Sequence, residues 1–127
     1  MDKIGRLEVE AALRDLMAEK GRQFVYRPPG GGKCVYWDRQ NQEPSCGVGW
    51  VLYHRFGWTA DEVAALDPVA DSGHVASVSA AGLYTPERGG RFTMSAAYAL
   101  SRFQSSQDMG TPYWKAFECA VGKVELL

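Results

Sequence analysis

Five consecutive residues, Pro28-Pro29-Gly30-Gly31-Gly32, interrupt the most β-prone part of this 127-residue chain. Proline fixes φ and offers no N–H, and glycine is the costliest residue to order, so neither a helix nor a strand runs through them. On one side lies Gln23-Phe24-Val25-Tyr26-Arg27 and on the other Cys34-Val35-Tyr36-Trp37. Both are rich in β-branched and aromatic side chains and read as strands, which predicts a hairpin over residues 23–37.

The rest of the sequence reads as helices separated by strong stop signals. Ile4, Leu7, Leu13, Leu16 and Met17 recur at helical spacing over 3–20, and Gly21 ends the run. Pro44-Ser45 opens a second helix over 46–56, with Ser45 as N-cap, Val48, Val51, Leu52 and Phe56 inward, and Gly57 as the stop. Gly47 and Gly49 weaken that helix by up to ~1 kcal/mol each against alanine, a cost that makes sense where another backbone packs closely. Thr59-Ala60-Asp61-Glu62 matches a capping box and starts a short helix reaching Leu66. Residues His74 to Ser79 alternate weakly and suit a strand, and Tyr84 to Arg91 reads as exposed loop. A fourth helix over 94–108 takes Thr93 as N-cap and turns Ala96, Ala97, Leu100 and Phe103 inward. Thr111-Pro112 then starts a fifth, with Thr111 as N-cap and Tyr113, Trp114, Phe117, Ala120, Val121 and Val124 as its apolar stripe.

These elements predict an α+β fold, a β-hairpin or small antiparallel sheet packed against three to five helices, as a single domain over 1–127. The expected core is Leu13, Leu16, Phe24, Val25, Val35, Val48, Val51, Leu52, Phe56, Leu66, Leu100, Phe103, Trp114, Phe117 and Val121. The formal net charge of −1 disfavours nucleic-acid binding by bulk electrostatics. Residues 1–20 are charged throughout and no stretch approaches the ~20 apolar residues of a membrane span, so neither a secretory leader nor a membrane anchor is expected. Cys34, Cys46 and Cys119 are an odd number at unpatterned spacing, which reads as reduced thiols.

Five constellations bear on chemistry. Gly30-Gly31-Gly32-Lys33 lacks the first Gly and the final Ser or Thr of a phosphate-binding loop, and a strand rather than a helix follows it. Cys46 falls in the first turn of its helix, where N–H groups and the helix dipole favour a thiolate. Its helix resembles the nucleophile helix of NlpC-type cysteine peptidases, and Gly73-His74-Val75 the strand that carries their histidine. Yet Ser45 and Gly47 stand where that family has Asp and Ser, and only 28 positions separate Cys46 from His74. His54, eight positions along the same helix, would lie about 12 Å away. The cysteines and histidines show no paired zinc-ligand spacing, so no metal and no cofactor is expected. Tyr26, Arg27, Lys33, Tyr36, Trp37 and Arg39 interleave aromatics with cations, a pattern that clamps a base or nucleotide, although alternation puts only half of them on one face. Gln104, Gln107 and Asp108 before Gly110-Thr111-Pro112 make a polar helix corner that either faces solvent or meets a partner.

Taken in order, Gly32-Lys33-Cys34-Val35-Tyr36, Pro44-Ser45-Cys46-Gly47-Val48-Gly49 and Leu100 through Gln107-Asp108 to Trp114 and Ala120 resemble small uncharacterised proteins that recur in phages of actinobacteria, over roughly residues 33–121. The resemblance implies a phage product acting in the host cytoplasm. The leading expectation is a non-enzymatic binding protein, with a C2 homodimer as its natural oligomer, that engages a host protein or sequesters a small ligand such as a nucleotide. Its expected binding residues are Arg27, Lys33, Tyr36, Trp37, Arg39, Gln107 and Asp108. The alternative is a hydrolase or transferase with Cys46 as nucleophile and His74 as its base.

Overall fold

The computed structural model describes residues 3–28, 34–68 and 77–122. In chain order they form α1 (Arg6–Lys20), β1 (Trp37–Asp38), β2 (Glu43–Pro44), α2 (Gly47–His54), α3 (Ala60–Ala64), two 3-10 helices (Ala80–Tyr84 and Pro86–Arg88), α4 (Met94–Asp108) and α5 (Tyr113–Val121). This is an α+β arrangement, a two-stranded antiparallel sheet packed against helices. α4 lies centrally, against α1, α2, α5 and the first 3-10 helix.

The hairpin exists, but not where strand propensity predicts it. Residues 23–27 form no strand. The sheet pairs Trp37 with Pro44 and Asp38 with Glu43, so the polar connection after Trp37 is the turn. Asp38 makes that turn: its carboxylate accepts from the Gln40 and Asn41 backbone N–H groups at 3.0 and 3.1 Å and from the Asn41 side-chain amide at 2.9 Å. Gln42 completes it at φ 55°. A side chain that bonds its own following backbone fixes a turn more strongly than β-propensity fixes a strand.

The segment before the Pro-Gly run serves α5 instead. The Phe24 and Arg22 carbonyls accept from the Tyr113 and Trp114 N–H groups, each at 2.9 Å. Two of the helix's orphan donors are thus met from elsewhere in the chain. The expected N-cap Thr111 is not used: Pro112 holds the cap position, and the Thr111 hydroxyl donates to the Ser106 carbonyl at 2.8 Å.

α2 begins one residue later than expected. Cys46 is its N-cap, its sulfur accepting from Gly49 N–H at 3.4 Å, while Ser45 pairs its hydroxyl with Tyr26 at 2.7 Å. The helix ends at His54 rather than Phe56. Its glycines are required by close approach. A Cβ on Gly49 would sit 2.1 Å from the Tyr36 carbonyl oxygen, and one on Gly47 would sit 2.7 Å from the Phe103 ring. The same approach lets the Tyr36 and Val35 carbonyls accept from Ser45 and Cys46 N–H at 2.9 and 3.1 Å.

At the starts of α4 and α3, sequence and structure agree. α4 spans 94–108 with Thr93 accepting from Ala96 N–H at 3.1 Å, and Thr59 and Glu62 close the capping box of α3 at 3.1 and 2.8 Å. α3 stops at Ala64, short of Leu66. Ser77–Ser79 are not a strand, and the remainder of that expected strand lies outside the described residues. In α1 the buried face is Val9, Ala12, Leu13, Leu16 and Met17, and Leu7, two positions from Val9, is 80% exposed.

Leu13, Leu16, Val48, Val51, Leu52, Leu66, Leu100 and Phe103 are core as expected. Phe24, Val25, Val35, Phe56, Trp114, Phe117 and Val121 are only half-buried. Deeper than any of these lie Tyr36, Phe92 and Tyr113. Phe92 is drawn in by the chain start: Ile4 donates to the Arg91 carbonyl at 2.7 Å and accepts from Thr93 at 3.0 Å, a parallel bridge beside the ring.

Gly49→Ala forces a methyl into backbone that cannot swing aside. We expect a loss of about 3 kcal/mol or more in urea unfolding, at the upper end of overpacking costs. Gly82→Ala, where nothing lies within 4 Å, should stay within about 0.5 kcal/mol of the parent. Equal stabilities for the two variants would show that Gly49 is not a point of backbone contact.

Candidate functional site

The structure spreads the sequence-predicted binding residues over several environments. Tyr36 is wholly buried, and Trp37 nearly so. Both are held by Asp67, a buried carboxylate that accepts from Tyr36 and Trp37 N–H at 2.7 and 3.0 Å and from the Ser77 hydroxyl at 2.5 Å. Burial pushes the Asp67 carboxyl up from its ordinary value, and these donors oppose the shift. Arg39 is exposed, but its guanidinium donates to the Ala64 and Asp67 carbonyls, both at 3.0 Å, and so finishes the end of α3. Tyr36, Trp37 and Arg39 therefore fasten β1 to α3, and of the clamp read from the alternating sequence only Tyr26 and Arg27, among the described residues, line a common cleft.

Gln107, read as the polar corner, is 1% exposed. Its Oε1 accepts from Gly47 N–H at 2.8 Å and from the Tyr113 hydroxyl at 3.2 Å, joining α2, α4 and α5. A buried amide with such partners is an internal tie rather than a contact surface. Asp108 is exposed beside the half-buried Cys34, whose thiol is pushed up to about 12, first by burial and then by that carboxylate. Arg27 is exposed and, with Lys20, Phe24, Tyr26, Asp38 and Glu43, lines an open, mostly polar cleft of about 380 Å³. Lys33 and His74 lie outside the described residues.

Cys46 is 1% exposed, and burial pushes its thiol up to about 12 despite the Gly49 N–H bond that works the other way. The expected lowering at a helix start is overridden, because removing the charged sulfur from water costs more than one N–H returns. His54 stands at the other end of α2 with its ring against Trp50 and Tyr53, at 4.9 and 5.0 Å. Among the described residues no group of three or more His, Cys, Asp or Glu is placed to hold a metal ion. Among the same residues no helix is long and apolar enough to cross a membrane.

A second concave site that joins an aromatic to cations is built around Trp58, Arg88 and Arg91, which the sequence analysis gave no binding role. A cleft of about 210 Å³ is lined by Trp58, Glu62, Ala65, Leu66, Glu87, Arg88, Gly89 and Arg91. Trp58 is drawn under α3 by its backbone, which donates to the Leu52 carbonyl at 3.0 Å. The Arg91 guanidinium lies over the indole, 4.7 Å from the ring centre, and pairs with Glu62. Glu62 is shared: one carboxylate oxygen accepts from Thr59 N–H and the other from Arg91. Those bonds hold its carboxyl below the usual range, the Thr59 N–H most and Arg91 next. Trp58 is 5% exposed, and its indole N–H has no hydrogen-bond partner among the described residues. Two signals pointed here. Trp58 directly precedes the N-cap and Val63 follows at the fourth helical position, the two ends of a hydrophobic staple, and both are buried. Arg88-Gly89-Gly90-Arg91 sets two cations around glycines at φ 90° and 58°, which bends the chain around the cleft instead of leaving it a plain loop.

Comparison with protein-family models, with curated proteins and with solved structures found no match to this chain.

Two outcomes follow from these environments. In the native protein at about pH 8, iodoacetamide should label the exposed Cys119 and leave Cys46 unlabelled until the chain is unfolded; native labelling of Cys46 at the rate of a free thiol would contradict its burial. A carboxylate whose folded pKa lies below its unfolded one adds stability above the unfolded value and gives it up as pH falls through the folded value. Glu62→Gln should therefore melt below the parent at neutral pH, with the gap closing on acidification beneath the ordinary carboxylate value of ~4.3. A gap undiminished at low pH would mean that the charge of Glu62 contributes nothing.

Proposed function

We propose that this chain is a non-enzymatic binding protein, a phage product acting in the host cytoplasm, and that its binding site is the cleft over Trp58. The observation that carries this reading is the cleft itself: an indole, two arginines and a left-handed glycine turn around one concavity. Trp and Arg are the side chains that most often anchor interfaces, because each offers a large flat face together with hydrogen-bond donors. The phage assignment rests on the order of segments over residues 33–121.

Size favours one kind of ligand. Small-molecule pockets run to ~300–1,000 Å³, and a cleft of about 210 Å³ accepts one large side chain more readily than a whole nucleotide. A host protein that inserts an anchor residue is therefore favoured over sequestration of a nucleotide. Self-association belongs to the same reading, since Met94 and Tyr98 stand exposed one turn apart on α4.

Arg88 makes the clean test, because it is exposed and has no ion pair among the described residues. Tagged protein and its Arg88→Ala variant would be compared in pull-downs from an actinobacterial lysate, and each recovered partner titrated by calorimetry. We expect a partner whose affinity falls about tenfold or more in the variant, ~1.4 kcal/mol, with the melting temperature unchanged. Retention identical for the two proteins, or of no partner by either, would count against the cleft.

A further inference from the structure

We propose that the cleft over Trp58 recognises a carboxylate carried on a short apolar stem, presented by a partner polypeptide as its free C-terminus or as an acidic side chain. The inference rests on the binding reading above and names the chemistry of what enters.

The floor is apolar and the rim is polar. Trp58, Ala65 and Leu66 would cover the stem, while Arg88 and Arg91 stand at the edge. The cleft already holds one carboxylate, since Arg91 pairs with Glu62 while its face lies over the indole. A guanidinium has five N–H donors in one plane, and Glu62 accepts at Nη2, so further in-plane donors remain for a second carboxylate. Gly89 keeps one of them uncovered. A Cβ at Gly89 would lie 3.5 Å from Arg91 Nε, in ordinary contact, while the φ of 90° there favours glycine, so the turn passes Arg91 with no side chain beside that donor. The Trp58 indole N–H is itself buried and without a partner among the described residues, and its ring lines the cleft, so its resonance reports on what enters.

Charge explains why the stem is needed. The lining carries Arg88 and Arg91 against Glu62 and Glu87, two positive and two negative, so the cleft has no net attraction for a bare anion. Inorganic phosphate or acetate gains the donors but leaves the apolar floor wet. A carboxylate next to hydrocarbon gains both, and fits the volume of one side chain.

The test is NMR of ¹⁵N-labelled full-length protein, with the Trp58 indole N–H assigned by Trp58→Phe. Four probes are titrated: N-acetyl-leucine for a C-terminus, N-acetyl-glutamate α-amide for an acidic side chain, N-acetyl-leucine amide as the neutral match, and acetate. We expect saturable shifts of the Trp58 indole and Arg91 Nε–H signals with one of the two stem-bearing carboxylates, at least tenfold weaker binding of the amide and of acetate, and weakening by Arg88→Ala. The tighter of the first two identifies the source. Amide binding as well as its acid would leave the cleft a binding site but overturn the carboxylate. No shift with any probe up to the order of 10 mM would overturn both this inference and the cleft as the site.

Discussion

The backbone of Tyr36 rests directly on the backbone of Gly49, and most of the interior is arranged around that contact. It requires two glycines in an eight-residue helix, a local cost near 2 kcal/mol in propensity that only close packing offsets. In return, the Val35 and Tyr36 carbonyls meet the N–H groups of Ser45 and Cys46, so the start of α2 is finished by the strand beside it. The other edge of the same segment turns its Tyr36 and Trp37 N–H groups toward Asp67. Gly47 N–H goes to Gln107, which also takes the Tyr113 hydroxyl. Each of these buried polar groups has an answering one, and in a low-dielectric interior that mutual satisfaction fixes one arrangement over its neighbours.

That geometry also explains the chemistry of Cys46. A helix start is a place where thiols ionise when water and a base can reach them. Here the strand sits on the helix start, the sulfur is spent as the cap, and the nearest imidazole along α2 lies at its far end. A surface that does combine reachable cations with an aromatic lies where α3 meets the Pro86–Arg91 turn.

Legibility followed the range of each interaction. α4 and the start of α3 were readable to the residue because Thr93, Thr59 and Glu62 bond N–H groups three positions away. The glycines of α2 were readable as a demand for close packing, but not what would meet them. The hairpin was misplaced because Asp38 sets its turn by a short side-chain bond, while Phe24 and Arg22 spend their carbonyls on a helix nearly ninety positions later. Gln107 looked like a wet corner because its partners, Gly47 and Tyr113, come together only once three helices have packed. The cleft was missed for the same reason: Trp58 and Arg91 are thirty-three positions apart and nothing local announces that they stack.

α5 shows what non-local support does to an element. Its first N–H groups go to Arg22 and Phe24, and its last carbonyls accept from Arg102 on α4 and from Arg6 on α1. Nine residues is too short for a helix to persist in water alone, and none of its terminal groups is finished by a side chain within its own first or last turn. Such a helix has no half-assembled version of itself. It arrives with the whole fold and leaves with it, which makes its amide protons reporters of global opening and not of local fraying.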